Sequence, residues 1–182
     1  MSKAIKFKNN TYLDSSSVVH NKVALNTILT PNYMIIGKSI EPLRWADKGT
    51  WATMDFKTRL DSNGTKLTHS GNAIKIGTGV SKIRVVAQVL YDGSNVDASS
   101  NYIFMRISQN NVGKSKTING FHRWGTLHTE AILKVSSGDL IKCDVLKSMS
   151  NEIGFYDYTG NFGAGVGCYL MVEVIESEEV NE

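Results

Sequence analysis

The dominant pattern in this sequence is the alternation of apolar and polar side chains at every second residue. It is clearest in residues 81–91, where Arg84 and Gln88 occupy one side and the other side carries Ile83, Val85, Ala87 and Val89. Alternation of this kind marks strands with one buried face, whereas an amphipathic helix needs a period of 3.6 residues. Helical periodicity is almost absent from the chain. The pattern therefore predicts an all-β protein.

The same alternation recurs in further segments, which predict strands that share one core. Their expected inward residues are Ala52, Met54, Phe56 and Leu60, then Ile103, Met105 and Ile107, then Ala131, Leu133 and Val135, then Ile141, Cys143 and Val145, and finally Cys168, Leu170, Val172 and Val174. Turn-forming residues separate these segments, at 61–64, 69–72, 77–79, 92–95 and 136–139. Short strands at this spacing predict an antiparallel jelly-roll sandwich.

The N-terminal part of the sequence has a different character. Residues 1–31 contain two short strand-like pieces and a helical turn predicted from Lys22 to Leu29, which Pro31 ends. Both prolines, Pro31 and Pro42, precede the sandwich and mark a junction. We therefore predict an N-terminal segment at 1–31, a linker at 32–48, a jelly-roll head at 49–176 and an acidic tail at 177–182.

The composition excludes several classes of partner. The chain has 182 residues, 41% of them hydrophobic, and a net charge of +3 from basic residues that are spread along it, which disfavours nucleic-acid binding. No apolar run reaches membrane length, and the N-terminus lacks the apolar core of a signal peptide. We expect folding in a cytoplasm, no membrane partner, and two buried thiols at Cys143 and Cys168.

Two copies of the tripeptide Gly-Lys-Ser, at residues 37–39 and 113–115, raise the question of a nucleotide site. A phosphate-binding loop needs an earlier glycine and a following helix. The glycine position is held by Asn32 in one copy and Ser108 in the other, and no helical pattern follows either copy. We therefore interpret residues 108–116 as an exposed loop, whose Lys114 and Lys116 face solvent or an acidic partner.

Two aromatic loops are candidates for ligand contact. Residues 120–128 contain His122, Arg123 and Trp124, a set suited to stacking on sugar rings and bonding to hydroxyl groups. The alternative is that Trp124 closes one end of the sandwich. Residues 154–165 form a glycine-rich loop that presents Tyr156, Asp157 and Tyr158, whose alternative role is packing between subunits.

Metal binding and catalysis lack support in the sequence. Asp92, Asn95 and Asp97 offer oxygen ligands of the type that calcium prefers, but no further carboxylate completes the set, and an Asx turn explains the segment. His128 and Glu130 share a strand face without a nucleophile or second carboxylate to pair with. We predict no metal, no cofactor and no enzymatic activity.

Four segments together resemble the jelly roll of the tumour necrosis factor and complement globular-head superfamily: "GNAIKIGTGVSKIRVVAQVLY", "NYIFMRIS", "AILKVSSGDLIKCDV" and "GCYLMVEVIE". The resemblance implies a homotrimer, in which apolar outer faces of one sheet pack around a threefold axis. Val86, Leu90 and Met171 are the apolar residues expected on that face; the alternative is that they face the second sheet or a covering loop. The aromatic-rich framework of animal members is absent, so receptor and immune roles are not implied.

The N-terminal "IKFKNNTYLDSSSVVHNKVALNTIL" resembles the leader of bacteriophage virion proteins, through Lys6, Phe7, Lys8, Asn9, Tyr12, Leu13, Asp14, Ser15, Val18, His20 and Asn21. The resemblance implies a virion protein attached to capsid or tail proteins through Phe7, Tyr12, Leu13, Val19, His20 and Leu25. Its head would decorate the capsid as a head fibre or adhere to the host surface, for example to a glycan. A tail or baseplate receptor-binding protein for cell-wall carbohydrate is the alternative, and a carbohydrate-active enzyme is a third reading.

Overall fold

The chain is all-β throughout the residues that the computed structural model describes, which are 5–6, 12–13, 31–37, 48–92, 102–120, 124–148, 154–155 and 167–177. Contacts divide it into two compact units, Met1–Pro31 and Asn32–Glu182. In the first unit, β1 (Ile5–Lys6) pairs antiparallel with β2 (Tyr12–Leu13). The helical turn predicted from Lys22 to Leu29 lies outside the described residues.

The second unit is a sandwich of two antiparallel sheets. Sheet 1 contains β4 (Ala52–Thr53), β6 (Leu67–Ser70), β7 (Ala73–Ile76), β9 (Tyr102–Gln109), β10 (Val112–Gly120) and β12 (Leu140–Lys147). Its order is β10-β9-β12-β7-β6, with β4 also beside β12.

Sheet 2 contains β3 (Tyr33–Gly37), β5 (Thr58–Asn63), β8 (Val80–Asp92), β11 (Trp124–Lys134), β13 (Gly154–Phe155) and β14 (Tyr169–Ser177). Its order is β11-β8-β14-β3-β5, with β13 also beside β8. The chain passes repeatedly between the sheets, as from β7 to β8 and from β8 to β9. This crossing pattern is the predicted jelly roll.

The core lies between the two sheets and consists of the inward faces predicted from the alternation. Fully buried side chains come from both sheets, among them Ile83, Val85, Ala87, Val89, Ile103, Met105, Ile107, Ile141, Cys143, Leu170 and Val172. Burying each large aliphatic side chain contributes about 1.5–3 kcal/mol. The predicted turns at 69–72, 77–79 and 136–139 are confirmed as well.

Both cysteines are buried thiols that form no disulfide, as predicted. Burial raises the pKa of the Cys143 thiol well above its ordinary value, because the apolar core destabilises the thiolate. The thiol therefore stays protonated and packs as a small apolar side chain.

The segment around Phe56 departs from the prediction of one continuous strand. β4 belongs to sheet 1 and β5 to sheet 2, and residues 54–57 cross between them with Met54 and Phe56 buried in the core. Leu60, predicted inward, is 38% exposed. In the pairing of β5 with β3, Arg59 lies opposite Ile36 and Asp61 opposite Ile35, so Leu60 is the extra residue of a bulge. A bulge breaks the alternation on which the prediction relied.

The predicted linker at 32–48 contains a strand of the sandwich. β3 pairs with β14 on one side and β5 on the other, and its Met34 and Ile36 are buried. The predicted start of the jelly roll at residue 49 is therefore too late. The strand reads "YMIIG", with apolar residues on both faces, so it shows no alternation.

The predicted loop at 108–116 is instead a β-hairpin. β9 continues to Gln109 and β10 begins at Val112, with Asn110 and Asn111 between them at φ 51° and 69°. A two-residue turn with both φ positive is type I′, and asparagine is among the few residues that tolerate this conformation. Gly113 and Ser115 lie inside a strand, which confirms that this Gly-Lys-Ser copy does not precede a helix.

Candidate functional site

The outer face of sheet 2 has an apolar row at its centre. Met171 of β14 lies directly between Val86 of β8 and Ile35 of β3, and we call these three residues the apolar row. Val86 is only 5% exposed although its neighbours Val85 and Ala87 point to the other side, into the core. Val86 and Met171 therefore do not face sheet 1, and the alternative of a covering loop stays a prediction. Leu90, expected on the same outer face, is partly buried and packs against the core.

Charged side chains surround the apolar row and pair with one another. Arg84 donates two hydrogen bonds to Glu130, at 2.6 and 3.2 Å, and its other terminal nitrogen lies 3.7 Å from a carboxylate oxygen of Glu173. The hydrogen bond from Arg84 lowers the pKa of Glu130 below its ordinary value. Since both side chains are 42% exposed, solvent screens the pair and it adds little to stability. Its main effect is to balance the charge at the edge of the row.

A groove of about 340 Å³ opens on the same face. Tyr33, Ile35, Asp61, Met171 and Glu173 line it. The Tyr33 hydroxyl donates to Asp61 Oδ2 at 2.7 Å, and this hydrogen bond raises the pKa of Tyr33. An apolar floor beside two carboxylates suits an apolar or cationic side chain of a partner.

The outer face of sheet 1 is built from aromatic rings and cations. The Arg106 guanidinium lies 4.3 Å from the ring centroid of Trp51, and Lys116 Nζ lies 4.6 Å from that of Phe104. The rings of Tyr102 and Phe104 are 6.4 Å apart. These five residues form what we call the aromatic–cation ladder, in which each cation is stabilised by the electron-rich ring face.

Asp144 fixes the position of Arg106 within this ladder. Its carboxylate accepts hydrogen bonds from Arg106 Nε and from the Thr53 hydroxyl, each at 2.9 Å, and Asp144 is 4% exposed. A buried carboxylate needs such partners, because desolvating an unpaired charge is strongly unfavourable. The arrangement neutralises Arg106 and leaves the lysines as the remaining cations of the face.

The two predicted ligand loops lie largely outside the described residues, which include none of His122, Arg123, Tyr156, Asp157 and Tyr158. The loop at 120–128 is shorter than predicted, because Gly120 ends β10 and Trp124 begins β11. The residues from Trp124 to His128 pair with β8, which explains why they are a strand rather than a loop. Gly154 and Phe155 also pair with β8, as β13.

The other predicted sites are covered only in part. Phe7, Val19, His20 and Leu25 lie outside the described residues, whereas Tyr12 and Leu13 form β2.

The residues considered for calcium binding and catalysis are also described only in part. Asp92 ends β8, but Asn95 and Asp97 are not described. His128 and Glu130 are exposed on one strand face, as predicted. Over the described part of the chain, no three His, Cys, Asp or Glu side chains gather into a metal site, and no helix could span a membrane.

The aromatic–cation ladder was not identified from the sequence. The alternation of β9 places Phe104 and Arg106 on the polar side of the strand, which is a usable signal. The pairing of Lys116 with Arg106 depends on the register of β10, and Trp51 reaches the ladder through the pairing of β4 with β12. Neither pairing can be read from local patterns.

Comparison with known proteins finds similarity only among solved structures. No protein-family model and no curated protein matches the chain. Murine APRIL aligns at 9% identity and a TM-score of 0.59 over 80% of this chain and 100% of that chain. Eiger TNF from S. frugiperda aligns at 10% identity and a TM-score of 0.57 over 84% of this chain and 98% of that one. The fold is a tumour necrosis factor-like jelly roll.

At these identities the likeness concerns the fold alone. It confirms the architecture that the four segments around β7–β8, β9, β11–β12 and β14 implied. In this tumour necrosis factor-like jelly roll, both candidate surfaces are outer faces of the sheets.

Proposed function

We propose that this chain forms a homotrimer through the outer face of sheet 2 and acts as a non-enzymatic surface protein of a bacteriophage particle. The observation that carries the proposal is the apolar row formed by Val86, Met171 and Ile35. Its position on the outer side of the sandwich gives it no role in packing the two sheets together. A second copy of the chain would remove from water the half-buried side chains of Met171 and Ile35, whereas Val86 is already covered within one chain.

The surroundings of the apolar row also suit a permanent contact. Protein interfaces combine an apolar centre with a polar rim. Here the rim is Arg84 with Glu130 and Glu173, whose charges are already paired within one chain. Charges that are compensated before association lose less on desolvation than unpaired ones. The groove beside Met171 and Asp61 would accept a side chain from the adjacent copy.

A virion location is supported by the N-terminal resemblance. The leader residues from Lys6 to Asn21 would attach the chain to capsid or tail proteins, and the jelly-roll head would project outward. There it would decorate the capsid as a head fibre or adhere to a host-surface glycan. Three heads per trimer and many trimers per particle would multiply a weak contact into stable attachment.

A tail or baseplate receptor-binding protein for cell-wall carbohydrate is the second candidate. The aromatic–cation ladder favours it, because aromatic rings stack on sugars and cations bind their acidic groups. Labelled antibody on intact particles, viewed by electron microscopy, separates the two locations. Label spread over the head supports decoration, label at the tail supports receptor binding, and the absence of label from particles would refute a virion role.

The homotrimer is tested by the mass of the full chain in solution. Light scattering at micromolar concentration should give three times the 20.1 kDa of one chain. A mass of one chain would refute the trimer. Incubation with host-wall polysaccharide should release no product, and release by this chain would overturn the non-enzymatic assignment.

A further inference from the structure

The strands of sheet 1 carry far more positive than negative charge. Their only carboxylate is Asp144, and their basic residues are Lys75, Arg106, Lys114, Lys116, Lys142 and Lys147. In sheet 2, by contrast, the four basic residues are outnumbered by five carboxylates: the basic residues are Arg59, Lys82, Arg84 and Lys134, and the carboxylates are Asp61, Asp92, Glu130, Glu173 and Glu176. The chain's modest net charge of +3 therefore hides a strong asymmetry between its two sheets.

Three lysines cross the outer face of sheet 1 on a diagonal, and we call Lys75, Lys142 and Lys116 the lysine track. Lys75 of β7 lies opposite Leu140 of β12, Lys142 lies one step further along β12, and Lys116 of β10 lies in the next row beside Arg106 and Asp144. Standard strand spacing places neighbouring track lysines about 8–12 Å apart. A track of separated charges suits an extended polymer better than a compact anion.

The positive charges of the lysine track are not compensated by their known contacts, because Lys116 and Lys142 contact neutral groups. Lys116 lies against the Phe104 ring, and Lys142 Nζ donates to the Asn111 side-chain oxygen at 2.9 Å. Asp144 is bound to Arg106 and Thr53, so its charge is already compensated. The nearest further carboxylate, Asp139 directly before β12, accepts hydrogen bonds from Gln109, Asn110 and the Ser136 backbone. Long-range attraction for a polyanion follows.

Apolar surface lies at one end of the track. Tyr102 is 45% exposed and Ile118 is 52% exposed, on neighbouring strands beside Phe104. The Tyr102 ring can stack on the apolar face of a sugar while its hydroxyl bonds to sugar hydroxyl groups. Ile118 adds apolar surface beside it. Charge without this apolar surface would favour any polyanion. The combination favours an anionic polymer made of sugar rings.

We propose that the outer face of sheet 1 binds an anionic polysaccharide, whose acidic groups contact the lysine track and whose rings contact Tyr102 and Ile118. The acidic groups are carboxylate, sulfate or phosphate, which share the same attraction to lysine. A role of this binding in adhesion rests on the proposed function. The binding itself depends only on this face of the sandwich.

The probe is dextran sulfate, with neutral dextran of the same length as its control, titrated against the full chain by calorimetry. We expect binding of dextran sulfate and none of neutral dextran. Reversing two track charges, in the Lys116→Glu and Lys142→Glu double variant, should weaken binding at least about tenfold, because counterion release scales with the lysines involved. Equal binding of neutral dextran, or no binding of dextran sulfate, would overturn the proposal.

The control for bulk charge is Lys134→Glu, an exposed lysine of sheet 2. It should change affinity by less than about twofold, since it belongs to sheet 2 and its charge is screened by salt. If Lys134→Glu weakens binding as much as Lys116→Glu alone, the attraction belongs to net charge rather than to this face.

Sugar recognition is tested with Tyr102→Ala and with a single-stranded DNA oligonucleotide of equal charge. Tyr102→Ala should weaken dextran sulfate binding about threefold or more without altering its salt dependence, because stacking releases no counterions. DNA that binds as tightly as dextran sulfate would make this a nucleic-acid face and refute the glycan. The mass of each variant is measured in parallel, so a monomeric chain that still binds refutes only the trimer.

Discussion

The two outer faces of this sandwich differ in how their charges are compensated. On sheet 2, Arg84 is paired with Glu130 and Glu173 around an apolar row. On sheet 1, Lys116 and Lys142 have neutral contacts, an aromatic ring and an amide oxygen. A face with internally paired charges can lose its water without leaving a charge isolated. A face with uncompensated cations instead attracts a mobile anionic ligand.

The difference shows how one fold supports two kinds of contact. Both faces share the same strand alternation and the same core, so their backbones are equivalent supports. Only the outward side chains distinguish them, and these are not constrained by packing between the sheets. The comparison therefore leads to predictions in which matched changes on the two faces have unequal effects.

The largest effect is expected from placing a carboxylate in the apolar row. Met171→Asp and Val86→Asp should each convert a trimer to a monomer, because an unpaired charge buried between subunits is unfavourable by several kcal/mol. Val86→Asp should also lower the free energy of unfolding of the single chain, where Val86 is already buried. Ile118→Asp, on the outer face of sheet 1, should leave the mass unchanged. Light scattering measures all three, and circular dichroism confirms that each variant folds. A retained trimer in both Val86→Asp and Met171→Asp would contradict the assignment of sheet 2.

The second effect concerns the two arginine–carboxylate pairs. Asp144→Ala should lower the free energy of unfolding by about 2–3 kcal/mol, because it leaves the mostly buried Arg106 without its carboxylate. Glu130→Ala should lower it much less, since its pair with Arg84 is solvent-exposed. Urea denaturation of both variants gives the comparison. Equal losses would show that burial does not separate the two pairs.

The third effect is a dependence of stability on pH. Burial raises the pKa of Asp139, but hydrogen bonds from the Ser136 backbone, Asn110 and Gln109 outweigh it, and the pKa lies below its ordinary value. A carboxylate with a lowered folded-state pKa stabilises the fold above its unfolded pKa of about 3.9, and this contribution disappears as pH falls through the folded-state pKa.

Asp139→Asn should therefore be less stable than the unaltered chain at neutral pH, with the gap closing as the pH falls through the lowered pKa of Asp139. Thermal melts across this range measure the gap. Glu130→Gln is the matched variant on sheet 2, and its exposed carboxylate should give a smaller effect. A gap for Asp139→Asn that widens in acid would contradict the role of these hydrogen bonds.

The smallest effect is expected at the turn of the β9–β10 hairpin. Asn111→Gly should change the free energy of unfolding by less than about 0.5 kcal/mol, since glycine adopts positive φ easily and the exposed bond to Lys142 is weak. Binding of dextran sulfate should stay within twofold, because the charge of Lys142 remains. A loss above about 1 kcal/mol would show that this neutral contact matters to the fold.

The sequence predicted the parts of the fold that follow from local alternation. β8, β9 and β12 were assigned with their inward residues because each has one apolar face. β3 was missed because both of its faces are apolar, and Leu60 was misplaced because a bulge shifts the register at that residue.

The surfaces were less predictable than the core. The outward positions of Val86 and Met171 followed from the same alternation, so the apolar row was partly visible in advance. The aromatic–cation ladder joins Trp51, Arg106 and Lys116 from three separate strands or their flanks, and it depends on cross-strand register. Register is a long-range property that depends on turn geometry, and the asparagine turn before β10 was interpreted as a loop.

Hydroxyl-radical footprinting of the native chain tests the contrast between the two faces most directly, because it oxidises exposed methionine, tyrosine and phenylalanine side chains on both faces at once. We predict that Met171, Tyr169 and Tyr33 are protected in the unaltered chain and become reactive in Val86→Asp, while Tyr102 is reactive in both. If Met171 is as reactive as Tyr102 in the unaltered chain and does not change in the variant, sheet 2 is not the face that joins subunits.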